Sequence, residues 1–102
     1  MKLTIPNAIA ALGGTDYARL LERSNFDMGI YMPQGSDLQK PHHRDEIYVI
    51  AQGKGQLVLG DRTHGCTAGD AFFVPAGMDH RFVNFSAGFC TWVIFLGPRG
   101  AG

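Results

Sequence analysis

The stretch that most constrains this chain covers residues 69–84, where turn formers bracket short apolar runs and one histidine opens the second of them. Gly69-Asp70 leads into Ala71-Phe72-Phe73-Val74, Pro75-Ala76-Gly77 makes a tight turn, and His80-Arg81-Phe82-Val83 follows. About thirty residues upstream, Pro41-His42-His43-Arg44-Asp45-Glu46 brings imidazole and carboxylate together, the donor chemistry that a divalent transition metal takes. Two separated segments that deliver such groups to one point imply a closed β fold with a metal site inside it.

The rest of the chain agrees with a β fold. Short runs rich in Val, Ile, Phe and Tyr are predicted as strands over 46–52, 55–59, 71–74, 81–85 and 89–96, punctuated by glycine-containing turns such as Gly53-Lys54-Gly55 and Gly60-Asp61. Residues 17–23 and 26–32 read as two more strands joined at Ser24-Asn25. The 14 glycines mark corners, which favours an all-β sandwich or barrel over alternating β and α units. Residues 6–12 form a short N-terminal helical turn, ended by Gly13-Gly14. Residues 33–41 have loop composition, and the tail from Gly97 reads as frayed.

At 102 residues the chain is expected to be a single domain, 1–102, with its barrel core over about 17–96 and room for one site. Nine basic residues balance nine acidic ones, and no basic cluster marks a nucleic-acid or anionic-membrane partner. No apolar run approaches the ~20 residues that span a bilayer. Cys66 and Cys90 lack the spacing of a metal or redox pair and read as buried free thiols, so a reducing, cytoplasmic location is expected.

In an unbroken strand alternate residues share a face, which would put Lys40, His42, Arg44, Glu46 and Tyr48 on one side and His43 with Asp45 on the other. His42 with Glu46 therefore has consistent geometry, whereas His43 would need a bulge. If the strand opened by His80 neighbours the one holding Glu46, two imidazoles and one carboxylate converge. That set suits one divalent transition metal (Fe, Mn, Ni, Co or Zn) and leaves coordination positions open. By the same parity Tyr48 and Ile50 become pocket wall beside the metal, with Phe82 on the face of His80.

These residues resemble the cupin superfamily. Residues 69–84 match its second motif (Gly, five residues, Pro-X-Gly, two residues, His, three residues, Asn) at every defined position: Gly69, Pro75, Gly77, His80 and Asn84. Residues 35–53 match the first motif in part. His42, Glu46 and Gly53 keep its intervals, while Lys40 stands where its first histidine belongs. The resemblance implies a small jelly-roll barrel of the cupin 2 type, with His42, Glu46 and His80 as metal ligands. A protonated lysine has no lone pair, so Gln39 or Asp37 could supply another oxygen, the three ligands could act alone, or the metal could have been lost. Lys40 would then lie near the pocket mouth, suited to an anionic carboxylate. His64, beside Gly65, reads as exposed in a turn.

The implied function is a metal-dependent enzyme of the dioxygenase, isomerase or decarboxylase type, acting on a small polar or carboxylated molecule, with Tyr48 donating a proton or hydrogen bond and Lys40, Phe82 and Ile50 touching substrate. The competing expectation is a non-catalytic ligand-binding or accessory cupin with a structural metal or none. The apolar faces of Ile47, Val49 and Val83 point to a homodimer.

Overall fold

In the computed structural model the described residues are 1–37 and 41–98. One helix, α1 (Ile5–Leu12), precedes eight strands: β1 (Tyr17–Arg23), β2 (Phe26–Tyr31), β3 (Glu46–Gln52), β4 (Lys54–Leu59), β5 (Arg62–Thr67), β6 (Ala71–Val74), β7 (His80–Val83) and β8 (Cys90–Leu96). They form a five-stranded sheet in the order β1-β2-β8-β3-β6 and a three-stranded sheet in the order β5-β4-β7, all paired antiparallel. The fold is the all-β, double-sheet architecture of a small jelly roll.

Period-two alternation decides which side of each sheet is buried. Tyr31, Tyr48, Ile50 and Val93 from the large sheet meet Leu57, Cys66 and Phe82 from the small one in a shared core, closed at one end by Phe89. On the opposite face of the large sheet, Ala8 and Leu12 of α1 pack over Ile30, Cys90 and Trp92. The helix starts where the Thr4 side chain accepts a bond from the Asn7 amide, and it stops at Gly13, whose left-handed φ of 58° suits glycine. No helix among the described residues is long and apolar enough to cross a membrane.

Two departures from the sequence expectation affect the site. The first is β5, read above as turn. Its first four residues are exposed and only Cys66 is buried, so the apolar alternation that signals a strand is missing. The available signal was the two-residue Gly60-Asp61 link after β4, a hairpin spacing, with Gly60 at φ 58°. His64 is exposed as expected, but on this strand. The second is the segment before β3: extended structure does not run back through Pro41, and His42 to Asp45 form an irregular, bent connection instead. Arg44 accordingly does not join the metal-facing row but forms a two-pronged ion pair with Asp27, at 3.1 and 3.2 Å.

Candidate metal centre

His42, Glu46 and His80 come together inside the sandwich: one donor atom from each lies within 4.8 Å of the others. Glu46 opens β3 and is 1% exposed. His80 opens β7, which belongs to the other sheet and pairs with β4, not with the strand of Glu46. The convergence expected between neighbouring strands is therefore achieved across the core, face to face, because both side chains point inward from opposite sheets.

The bent segment carrying His42 is held from three sides. The Gly77 amide donates to the His42 carbonyl at 2.7 Å, and the Ala76 amide donates to Asp45 Oδ1 at 2.8 Å. Thus the Pro-Ala-Gly turn of the second motif clamps the loop of the first, and Gly77 can serve there because its φ is 80°. Arg44 anchors the middle of the segment through Asp27, its guanidinium stacked over Phe95 at 4.7 Å from the ring centroid. The other edge of Phe95 supports the His42 ring, with centroids 5.1 Å apart and an interplanar angle of 78°. His43 is exposed and takes no part.

The electrostatics of this group call for a cation. His80 Nδ1 lies 2.9 Å from the Met78 carbonyl, which can only accept, so this nitrogen carries the proton and Nε2 of a neutral ring presents a lone pair. That Nε2 sits 2.9 Å from Glu46 Oε1, without the alignment of a hydrogen bond. Both Glu46 oxygens are buried and lack a hydrogen-bond donor among the described residues. A lone pair facing a buried carboxylate is repulsive unless a positive charge, from a proton or a metal, lies there. The two histidines respond in opposite directions. Burial works against the His80 imidazolium, but Glu46 and the Met78 carbonyl outweigh it and raise its pKa above the ordinary 6.5. Burial lowers the pKa of His42, with Glu46 opposing and the charge of His80 reinforcing the shift. A proton thus competes with a metal mainly at His80, while His42 is a ready neutral ligand.

A cleft of about 370 Å³ opens beside the group, lined by Asp16, Tyr17, Tyr31, His42, Glu46, Val93 and Phe95. The other expected site residues lie elsewhere. Tyr48 is fully buried, with its ring 4.9 Å from Phe82 and 6.1 Å from His80; Ile50 and Phe82 are core side chains. None of the three lines the cleft: on β3 only the first residue, Glu46, reaches it, and Phe82 lies on β7 of the facing sheet, two residues past His80. Lys40 and Gln39 lie outside the described residues. Asp37 does not turn to the metal group: Oδ1 accepts from the Tyr31 hydroxyl and Oδ2 from the Phe82 amide, each at 2.7 Å. Strand parity missed Tyr17, Tyr31 and Phe95; they reach the cleft because β8 pairs with β3, β2 with β8 and β1 with β2, an order that parity along one strand does not contain. Asn84, the last residue of the second motif, is structural: it holds a left-handed φ of 52°, which Asn tolerates, and donates to Gln56 Oε1 at 2.7 Å.

A small double-sheet β barrel with an inward His-Glu-His group and an adjoining cleft is a metal-competent barrel by its own geometry. Comparison with known proteins gives it a family: the Cupin domain family matches residues 28–95, and the chain belongs to that family. An uncharacterized protein of Streptomyces coelicolor is 32% identical over 85 residues, spanning 81% of each chain. Among solved structures, a cupin-2 domain containing protein from Shewanella frigidimarina superposes with a TM-score of 0.71 over 95% of both chains at 18% identity. KdgF from Halomonas sp. superposes with a TM-score of 0.71 over 81% of this chain and 78% of its own, at 19% identity. At those identities the structural likeness speaks to the fold alone.

Proposed function

We propose that this chain is a metal-dependent cupin enzyme in which His42, Glu46 and His80 hold one divalent transition cation and a small polar or carboxylated molecule enters the adjoining cleft. The observation that carries this reading is the convergence of donor atoms from His42, Glu46 and His80 within 4.8 Å of one another, around a buried carboxylate whose two oxygens have no hydrogen-bond partner among the described residues. When bound, such a cation supplies Lewis-acid or oxygen-activating chemistry, and three protein ligands leave it positions for a substrate. The reaction classes this supports are oxygenation, isomerisation and decarboxylation. The chain's own residues orient and shield: Met78 fixes the tautomer of His80, Phe95 and Val93 form the apolar cleft wall, and Asp37 fixes Tyr31. Elemental mass spectrometry on the purified protein is expected to return about one equivalent of a transition metal, and His80→Ala is expected to lose most of it. A parent protein without stoichiometric metal removes the proposal.

Two further features belong to this reading. Cys66 and Cys90 are both buried and unpaired, which supports a reducing compartment. The outer face of the large sheet carries a row of apolar residues in register across all five strands, Leu21, Met28, Ile94, Ile47 and Phe73, with Phe73 54% exposed. Such a row supports a homodimer that covers it. Light scattering is expected to give a dimer mass for the parent and a monomer mass for Phe73→Glu; a monomeric parent overturns the assignment.

A further inference from the structure

We infer that Tyr17 is the residue that recognises the cleft's small molecule, donating a hydrogen bond from its phenol to an oxygen atom of that molecule beside the His-Glu-His group. The inference rests on the proposed metal-dependent function and adds to it a specificity-determining residue and the kind of atom it contacts. Its starting point is Gly29, in the middle of β2. Glycine weakens a strand, and Gly29 is not among the residues with positive φ, so no turn or unusual backbone conformation requires it. Space does. A Cβ at this position would lie 2.6 Å from the Tyr17 hydroxyl, 2.7 Å from its Cζ and 2.5 Å from the Ala18 carbonyl oxygen. The missing side chain is thus a notch in the sheet into which the end of the Tyr17 ring fits.

The register shows how the ring reaches it. Tyr17 pairs with Tyr31, and the next pair of the same parity along the two strands is the exposed Arg19 with the buried Gly29. Tyr17 therefore lies along the inner face of the sheet rather than standing up from it, and it forms part of the same cleft wall as His42 and Glu46. The phenol stays protonated at neutral pH, since burial and then the Asp27 charge raise its pKa above 10.0.

Apart from His42, the other polar groups beside the cleft are already engaged or can only accept. The Tyr31 hydroxyl is committed to Asp37 Oδ1. The nearby Arg44 guanidinium is committed to Asp27 and to the Phe95 ring. Asp16 and Glu46 are carboxylates and, when ionised, can only accept. The Tyr17 hydroxyl has no hydrogen-bond acceptor among the described residues, and Tyr17 is part of the cleft wall. A donor placed in this way complements a carbonyl, hydroxyl or carboxylate oxygen on a small molecule held at the metal.

The test uses the Co(II)-loaded protein and acetohydroxamate, a small bidentate oxygen chelator, followed by the visible absorption of the ion. Tyr17→Phe is expected to leave Co(II) affinity and the urea midpoint of the metal-free protein within about twofold and a few tenths molar of the parent, while acetohydroxamate binds about tenfold more weakly, the worth of one hydrogen bond to a charged acceptor. Gly29→Ala keeps the hydroxyl but puts a methyl against both it and the Ala18 carbonyl, so β1 must shift with the ring, and acetohydroxamate is expected to weaken in the same direction. Equal acetohydroxamate affinity in the parent and Tyr17→Phe overturns the inference and leaves the metal site standing. Loss of Co(II) affinity or of stability in Tyr17→Phe equal to the loss of acetohydroxamate binding also overturns it, because Tyr17 would then be scaffold. A parent that takes up no Co(II) overturns the metal-dependent reading together with the inference.

Discussion

Stripping the cation with EDTA is expected to lower the thermal midpoint of this protein by about 15–30 °C. A ligand present at a thousand times its dissociation constant stabilises the folded state by about 4 kcal/mol, and in a domain of this size each kcal/mol shifts the midpoint by about 4–8 °C. The effect should be large here because in the metal-free state only a proton on His80 is left to offset the buried Glu46 carboxylate, which has no hydrogen-bond partner among the described residues. Calorimetry with and without EDTA measures the shift directly. Glu46→Gln separates the two contributions: the amide removes the buried charge and the anionic ligand, so the variant should show the same midpoint in both conditions. Identical midpoints for metal-loaded and EDTA-treated parent protein would contradict the expectation.

Arg44→Ala is expected to cost about 3–5 kcal/mol of folding stability, the usual consequence of removing one partner from a buried ion pair. The Asp27 side chain is 3% exposed and that of Arg44 14%, so water cannot replace the guanidinium at that carboxylate. Replacing both partners, Arg44→Met with Asp27→Leu, should recover most of the loss, since neither charge of the pair is then left unpaired at that position. Urea denaturation of the two variants and the parent reads this out; a loss below about 1 kcal/mol for Arg44→Ala would show that the pair is effectively solvated. The same single variant should also weaken metal binding, because Arg44 anchors the loop that presents His42.

Much of this architecture was legible from residue patterns, and the failures share a cause. Strands β1, β3, β6 and α1 could be placed to within a residue, because apolar alternation and glycine punctuation coincide with their ends. β5 was not legible: it lies at the edge of the small sheet with one buried side chain, so hydrophobicity says nothing about it. The three metal-competent residues were found through motif spacing, but the geometric argument for them was only half right. Parity assumed a straight strand through Pro41 and a neighbouring strand for His80. In the fold, a bent loop delivers His42 and the facing sheet delivers His80. Tyr48, Ile50 and Phe82 were assigned to the pocket by the same parity, which tells inside from outside but not depth along the strand. Tyr17 and Phe95, by contrast, reach the cleft from strands whose neighbours become known only once the sheet order is known.

The clamp between the Gly77 amide and the His42 carbonyl has a practical corollary for the proposed metal centre. The two imidazoles, their ring centroids 5.2 Å apart, are tied together by a three-residue corner that donates no ligand itself. Lengthening or stiffening that corner is expected to retune the proposed cage from outside, much as a set-screw adjusts a jaw, without replacing any of its three candidate ligands.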